Sequence, residues 1–262
     1  MVGKEVRLAR IFHPISRKTV IVPLDHGVTQ GPLPGLTDMR KVLREVAEGG
    51  ADAVILHQGN VRLGPWGNGE RVGLIVHLSA STTLSPEPLR KVLVCKVEEA
   101  LRLGADAVSF HLNLGNPYEG EMIRELGMVV GECIQWGLPL LAMVYVRGPG
   151  IEDERHPQLV GHAARVAAEL GADLVKVDYT GDPFSFREVS DECPIPVVIA
   201  GGTKGGEREL LEMVKGALEG GARGVSIGRN VFQHDSPKKM VQAICALVHQ
   251  GATVQEALKL LE

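Results

Sequence analysis

The chain has 262 residues, of which 44% are hydrophobic and 23% are charged, and its formal net charge is −4 at pH 7. This composition is typical of a soluble globular protein and argues against disorder, and the negative charge argues against a nucleic-acid-binding surface, which needs a basic patch. No segment approaches the ~20 apolar residues of a membrane span, and the N-terminus MVGKEVRLARIFHP lacks the apolar run of a signal peptide. We therefore expect a cytoplasmic protein with no nucleic-acid or membrane partner.

The cysteine spacing agrees with a cytoplasmic location. The four cysteines, Cys95, Cys133, Cys193 and Cys245, lie far apart in the sequence and form no C-x-x-C pair. A disulfide or a metal site would require distant residues to meet in space. We interpret all four as reduced thiols of the hydrophobic core, as is usual in the cytoplasm.

Eight short apolar segments alternate with helical patterns along the chain. In chain order, the segments that contain a predicted strand are residues 19–25, 48–57, 72–79, 102–111, 138–145, 169–178, 195–202 and 219–228. Strands that are apolar almost throughout are typical of parallel sheets buried on both faces. Outside these units, residues 4–12 are expected to form a helix that closes one end of the sheet. Residues 252–261 are expected to form a helical tail, packed on a neighbouring molecule or on the chain's own helices.

Four of these segments repeat one pattern, written EGGADAVILH, RLGADAVSFH, ELGADLVKVD and EGGARGVSIG. In each of them a helix ends, a glycine adopts the left-handed conformation, and a short apolar strand begins. Such a repeat is expected when alternate βα units recur around a barrel, which needs ~250 residues. A dinucleotide-binding G-x-G-x-x-G motif after the first strand is absent, which argues against an open doubly wound sheet. We predict an α/β fold, a single (β/α)₈ TIM-barrel domain spanning residues 1–262.

Barrel enzymes place their active sites at the carboxyl ends of the strands, and Lys176 is the exceptional residue there. It lies within the apolar strand LVKVD. If its side chain points into the barrel, burial lowers its pKa and supplies the neutral amine that attacks a ketone. The alternative is a structural lysine that reaches the barrel mouth or pairs with Asp178 or Asp25.

Two further strand ends carry groups suited to proton transfer. Tyr145 ends the fifth predicted strand, and its phenol is a candidate general acid or base, although a rim aromatic of no catalytic role is the alternative. Asp25 ends the first strand. Its carboxylate is a candidate base or a partner for the Lys176 ammonium, with a structural cap as the alternative.

The last two strands end in glycine turns, IAGG and SIGRN. This corner of a barrel commonly binds phosphate through backbone N–H groups. Gly201, Gly202 and Gly228 permit close approach of the backbone, and Arg229 adds a forked cationic donor. The sequence therefore predicts a phosphate site here, unless the glycines serve only tight turns.

Histidines at successive strand ends suggest a rival chemistry. His26, His57, His77 and His111 could together bind a divalent metal. They form no His-x-His pair or other compact ligand motif, so substrate contact or structural hydrogen bonding is the favoured interpretation. We expect no metal and no cofactor.

The sequence also contains motifs of a known family. VPLDHGVTQGP, LIVHLSASTTLSP, LLAMVYVRG, ADLVKVDYTGDPFSF, VVIAGGTKG and SIGRNVFQHDSP resemble the archaeal-type class I aldolases, over about residues 4–250. HLSASTTLSP and QHDSP are more similar to a synthase branch of that family than to its fructose-bisphosphate aldolases, which share the DHG, lysine and GRN motifs. The resemblance implies a TIM barrel and a Schiff-base mechanism.

The resemblance also implies roles for individual residues. Lys176 is then the Schiff-base lysine, Tyr145 the proton donor and Asp25 the proton acceptor. The implied ligand contacts are Asp25, His26, Gly27, Val28, Thr29, Tyr145, Val146, Arg147, Lys176, Gly201, Gly202, Gly228 and Arg229. Asp178 departs from the family, which has a small residue such as serine there, and a carboxylate two positions from Lys176 is expected to alter the pKa of that lysine.

For the synthase branch, the implied reaction moves a hydroxyacetone unit from 6-deoxy-5-ketofructose 1-phosphate to L-aspartate semialdehyde, early in aromatic amino acid biosynthesis. The alternatives are fructose-bisphosphate cleavage, a metal-dependent lyase or hydrolase, and a non-catalytic phosphosugar-binding barrel. We expect a homo-oligomer, and the resemblance implies a ring such as a decamer. The rim beside the acceptor is expected to be mainly neutral, with Arg147 and Arg62 as the nearest cations.

Overall fold

A closed barrel of eight parallel strands forms the centre of the structure, a computed structural model that describes residues 1–66 and 72–262. In chain order the strands are β1 Thr19–Pro23, β2 Ala53–Leu56, β3 Gly73–His77, β4 Ser79–Ala80, β5 Val92–Leu93, β6 Ala107–Leu114, β7 Leu140–Val146, β8 Leu174–Val177, β9 Val197–Ala200 and β10 Gly224–Ser226. Strands β4 and β5 form a separate antiparallel hairpin after β3, and the other eight close the barrel. The predicted (β/α)₈ barrel is confirmed.

Helices surround the barrel and connect its strands. They are α1 Val2–Ile11, α2 His26–Gln30, α3 Met39–Glu48, α4 Val97–Arg102, α5 Glu119–Trp136, α6 Pro157–Leu170, α7 Pro183–Glu192, α8 Glu207–Glu219, α9 Arg229–Phe232, α10 Pro237–Gln250 and α11 Val254–Lys259. A 3₁₀ helix covers Gln58–Leu63. The C-terminal helix α11 packs on α8 and α10, which are helices of the same barrel. In the described ranges, no helix has both the length and the apolar character needed to cross a membrane.

Strand alternation decides which side chains face the barrel interior. In β8, Val175 and Val177 belong to the outer core between strands and helices, whereas Leu174 belongs to the inner core. Lys176 lies two residues after Leu174 and therefore faces inward. In β7, Met143 and Tyr145 belong to the inner core by the same alternation.

Helix α1 closes the end of the barrel where the strands begin. Ile11 is fully buried in the inner core, with Leu8 and Phe12 packed against the same cluster. The hydroxyl of Thr19, at the start of β1, donates a hydrogen bond of 2.5 Å to the carbonyl of Ile11. The interior at this end is thus sealed by apolar side chains, and the opposite end is left for polar groups.

The repeated Gly-Ala-Asp pattern has a structural cause at the sealed end. The aspartates of three repeats, Asp52, Asp106 and Asp173, each accept a hydrogen bond from a backbone N–H group in the first two residues of the preceding barrel strand. The donors are Val20 at 2.7 Å, Leu74 at 3.0 Å and Leu140 at 2.9 Å. The same three carboxylates contact His249 at 3.0 Å, Arg10 at 2.8 Å and Lys4 at 3.0 Å. Each repeat therefore fixes one strand to its neighbour.

The four cysteines are free and buried.

Candidate active site

A cavity of about 200 Å³ opens where the barrel strands end, opposite helix α1. Its lining residues are Asp25, His26, Thr29, Gln30, His57, His77, Ser79, Ala80, Lys91, His111, Met143, Tyr145, Arg147, Lys176 and Arg229. Seven of them are residues that the sequence predicts to contact a ligand. The strand ends that carry these side chains come from all around the barrel, so only the closed fold brings them together.

Lys176 lies at the base of this cavity with 7% of its surface exposed. It stands in register with Met143 of β7 and Val198 of β9, both inner-core residues. Burial lowers the pKa of Lys176 to about 8, although the carboxylates of Asp25 and Asp178 act in the opposite direction. A useful fraction of its amine is therefore neutral near physiological pH, which a nucleophilic lysine requires.

Asp25 lies beside two histidines in the same cavity. Its carboxylate is 3.4 Å from Nδ1 of His26 and 3.9 Å from Nε2 of His77. Burial alone would raise the pKa of Asp25, but the neighbouring basic side chains, His77, His26, Lys176 and His57, lower this pKa to about 2. Because burial also lowers the pKa of His77 to about 4, that imidazole is neutral at pH 7. The Asp25 carboxylate is therefore ionised at pH 7 beside a neutral His77.

Tyr145 is 8% exposed and sits between a histidine and an arginine. The His111 ring lies 5.0 Å from its ring, and the Arg147 guanidinium stacks on it at 4.2 Å. Burial raises the pKa of the phenol above its ordinary value. The phenol is consequently protonated at neutral pH and is available as a proton donor.

The predicted phosphate corner is divided between two cavities. Arg229, the first residue of α9, lines the cavity of Lys176, and its Nε atom is buried with no hydrogen-bond partner among the described residues. Gly201 and Gly202 line a larger neighbouring cavity of about 590 Å³. Gly228 serves a close approach, since a Cβ there would lie 2.6 Å from Cε1 of His26.

Three other predicted contacts, Gly27, Val28 and Val146, do not line the cavity of Lys176. Gly27 and Val28 line a separate cavity beside Leu33. Val146 packs in the outer core between strand and helix layers. Thr29, in contrast, lines the cavity of Lys176, so α2 presents only part of its length to the site.

Comparison with known proteins identifies the family. A family model described as DeoC/LacD family aldolase matches residues 19–234. The chain belongs to this aldolase family. A 2-amino-3,7-dideoxy-D-threo-hept-6-ulosonate synthase of Halobacterium salinarum is 46% identical over 257 residues, which are 98% of this chain and 95% of the relative. A 2-amino-4,5-dihydroxy-6-oxo-7-(phosphonooxy)heptanoate synthase of Streptomyces griseus is 45% identical over 254 residues, 96% of this chain and 92% of the relative.

A solved structure shares the fold of this aldolase-family chain. It is an archaeal fructose-1,6-bisphosphate aldolase with its catalytic lysine covalently bound to the carbinolamine intermediate of the substrate. The identity is 35%, the TM-score is 0.86, and the match covers 94% of this chain and 99% of that chain. The predicted resemblance to class I aldolases is confirmed.

Two histidines of the aldolase site, His57 and His77, form with Asp25 a group that has the composition of a metal site. One ligand atom from each of Asp25, His57 and His77 lies within 4.8 Å of the other two. The His77 ring also bonds the protein itself, with Nδ1 2.8 Å from the hydroxyl of Ser109. A metal-dependent reaction is therefore the alternative to Schiff-base chemistry at this site, and an activity assay with a chelator tests it.

One lining residue of this aldolase, Lys91, was missed by sequence reasoning. It precedes β5 and is buried, with 8% of its surface exposed. Sequence gives little signal for it, because a lysine in the polar segment EPLRKV is indistinguishable from a solvated surface charge. The rim that was expected to be mainly neutral therefore carries one buried cation, Lys91, beside its histidines and Ser79. Arg62, expected near the acceptor, is exposed and does not line the cavity.

Proposed function

We propose that the chain is a transaldolase-like synthase. It transfers a hydroxyacetone unit from 6-deoxy-5-ketofructose 1-phosphate to L-aspartate semialdehyde through a Schiff base on Lys176. The observation that carries the proposal is a buried lysine of lowered pKa in the barrel mouth, which shares one cavity with an ionised Asp25 and a protonated Tyr145.

The first half of the reaction needs a nucleophile and a proton donor. The neutral amine of Lys176 adds to the ketone carbon at the methyl end of the substrate. The Tyr145 phenol protonates the carbinolamine oxygen, which leaves as water and gives an iminium ion. This cation is the electron sink that makes the next bond cleavage possible.

The second half needs a base. Asp25 takes the proton of the substrate hydroxyl, the carbon–carbon bond breaks, and its electron pair passes to the iminium nitrogen. Hydroxypyruvaldehyde phosphate leaves, and a hydroxyacetone enamine remains on Lys176. The enamine carbon attacks the aldehyde of L-aspartate semialdehyde, the new alkoxide is protonated, and water hydrolyses the iminium to free the product and the lysine.

The names of the two relatives support the choice of acceptor. Both products have seven carbons and an amino group at carbon 2. Carbons 1–4 of such a chain are those of aspartate semialdehyde. An amino-acid aldehyde is thus common to both relatives, whereas fructose-bisphosphate cleavage needs none, which makes the plain aldolase the lesser candidate.

Arg229 favours a second candidate. The product named for the Streptomyces griseus relative keeps a phosphate on carbon 7, beside its ketone. Its three-carbon donor corresponds to dihydroxyacetone phosphate. A phosphate on that carbon would lie close to the Schiff base, where the unpartnered Arg229 Nε is available. In the first candidate that carbon is a methyl group, and the phosphate leaves with the aldehyde.

A product assay tests the two candidates together. The enzyme is given L-aspartate semialdehyde with either 6-deoxy-5-ketofructose 1-phosphate or dihydroxyacetone phosphate, and separately fructose 1,6-bisphosphate alone. We expect a phosphate-free product by mass spectrometry from the first mixture, at a specificity constant at least about tenfold above bisphosphate cleavage, which requires only ~1.4 kcal/mol. A phosphorylated product from the second mixture alone would establish the second candidate. Comparable bisphosphate cleavage would make the protein a plain aldolase.

The same proposal includes a cytoplasmic location and assembly into a homo-oligomer, with a decamer as the expected size. Three large apolar side chains of α5, Met128, Ile134 and Trp136, are exposed in the single chain, which supports association. The molar mass in solution, measured by light scattering, tests this part. A monomeric mass would contradict it.

A further inference from the structure

Lys91 is a second buried cation of the site and has no role in the mechanism above. It belongs to the segment between β4 and β5, outside the barrel wall. Its charge lowers the pKa values of three histidines of the site. They are His57 directly after β2, His77 in β3 and His111 in β6. Lys91 therefore occupies the side of the cavity away from Lys176 in β8 and from Arg229 in α9.

The segment around Lys91 is held firmly. The Lys91 ammonium donates a hydrogen bond of 2.5 Å to the hydroxyl of Ser81, which donates in turn to the carbonyl of Pro88 at 2.7 Å. On the outer side, the guanidinium of Arg90 contacts the Glu121 carboxylate at 2.8 Å. The ammonium is thus held in place by its neighbours before any ligand binds, which lowers the entropic cost of using it.

The charge of Lys91 is not balanced locally. Throughout residues 1–66 and 72–262, no carboxylate oxygen lies within 4 Å of its Nζ atom, and a neutral hydroxyl is its one hydrogen-bond acceptor. Burial, together with the charge of Arg147, lowers its pKa to about 8. A buried ammonium without a counterion is costly, so an anionic ligand at this position would be bound favourably.

We infer that Lys91, oriented by Ser81, binds the anionic group of the aldehyde that the enamine attacks. The inference rests on the proposed function, because it assumes an enamine on Lys176 and an aldehyde on the opposite side of the cavity. Aspartate semialdehyde brings a carboxylate to that side, and the aldehyde released from the ketose brings a phosphate. One ammonium serves both electrophiles in turn, and the donor half of the substrate does not touch it.

The test compares matched aldehydes that differ only in charge. Hydroxyacetone serves as an uncharged donor, with glyceraldehyde 3-phosphate or glyceraldehyde as the acceptor, and with aspartate semialdehyde in a third arm. We expect Lys91→Met to lower kcat/KM for the two anionic aldehydes by about tenfold to a hundredfold, the effect of losing a charge-assisted hydrogen bond. The loss with uncharged glyceraldehyde should be smaller by about tenfold or more, because that aldehyde brings no charge for Lys91 to bind.

Two controls separate this role from a structural one. Lys96→Met removes an exposed lysine of the following loop and should leave all three acceptors unaffected. Lys91→Arg should restore a large part of the selectivity for anionic aldehydes. Equal losses with charged and uncharged aldehydes, or no loss at all, would overturn the inference. If the unmodified enzyme rejects aspartate semialdehyde but accepts glyceraldehyde 3-phosphate, the proposed function fails and the phosphate pair still tests Lys91.

Discussion

The two ends of the barrel interior use charged residues in opposite ways. At the sealed end, Asp106 and Asp173 each contact both a cation and a backbone N–H group. At the open end, Lys176, Lys91 and Arg229 have no carboxylate within 4 Å in the part of the chain that the structure describes. The charged side chains at the sealed end therefore hold strands together, whereas these three cations at the open end are available to bind a ligand.

This difference indicates that the residues that stabilise the barrel and the residues that carry its chemistry lie at opposite ends of the barrel interior. Barrel enzymes generally keep catalytic residues at the carboxyl ends of their strands and stabilising ones at the other. Removal of one member of a paired set of buried charges destabilises the fold strongly. A buried charge without partners lowers the stability of the folded protein instead, so its removal need not destabilise the fold. Substitutions at the two ends should thus alter different measured quantities.

The largest effect is expected at Lys176. Lys176→Met removes the nucleophile, so turnover and borohydride trapping of the ketose on the enzyme should both be lost. The free energy of unfolding should not fall, because an unpaired buried ammonium is replaced by an apolar side chain of similar length. Activity assays, mass spectrometry of the trapped protein and denaturant titration measure the three quantities. A trapped adduct on another residue would refute the assignment, and full activity of the unmodified enzyme in EDTA would remove the metal rival.

Tyr145→Phe should have the next largest effect. Loss of a positioned proton donor typically costs 10²–10⁴-fold in rate, so about this loss is expected in kcat, with a smaller change in KM. The Phe ring keeps the packing against His111 and Arg147, and stability should be nearly unchanged. Single-turnover kinetics would show whether iminium formation is the slowed step. A mutant that lost only substrate affinity would make Tyr145 a binding residue instead.

Asp173→Ala tests the sealed end. It removes the partners of the Leu140 backbone N–H and of Lys4 together, and should cost about 1–3 kcal/mol of unfolding free energy. The kcat value should stay within about twofold at a temperature where the variant is folded, since Asp173 lies at the end of the barrel opposite the cavity of Lys176. Asp173→Asn keeps a hydrogen-bond acceptor and should lose less stability. A large kcat loss in a stable variant would contradict the separation of the two ends.

The smallest effect is expected at Asp178. Its carboxylate raises the pKa of Lys176 against the stronger effect of burial. Removal of that carboxylate in Asp178→Asn lets the pKa of the lysine fall further. The neutral amine then appears at lower pH, so the acid limb of the kcat/KM profile, expected near pH 8, should move to lower pH. Asp178→Glu keeps the charge and serves as the control, and a limb that moved upward would show that another group controls it.

The sequence predicts those parts of the molecule that follow from local periodicity. Apolar strands in a repeated βα pattern indicated the barrel, and strand-end position alone placed Asp25, Tyr145 and Lys176 in one site. The alternation along LVKVD could not decide whether Lys176 faced inward, because both faces of a buried parallel strand are apolar. The closed sheet and its register decided it.

Other features depend on contacts that are remote in sequence. Lys91 reaches the site through a hairpin outside the barrel, and nothing in its neighbourhood distinguishes it from a surface lysine. The sequence also did not show that the predicted phosphate corner is divided between two cavities. Gly201 and Gly202 line one of them, and Arg229 lines the other. The repeated aspartates were visible as a pattern, but their hydrogen bonds to preceding strands appear only in the folded chain.

The uneven charge of the mouth also affects how substrates arrive. The chain as a whole has a formal charge of −4, yet four cations and one carboxylate line the cavity among the described residues. The net negative charge of the chain repels phosphorylated molecules at long range. The positively charged mouth of the cavity attracts them at short range. Diffusional capture of the ketose phosphate should therefore be orientation-selective and should slow as added salt shortens the reach of this field.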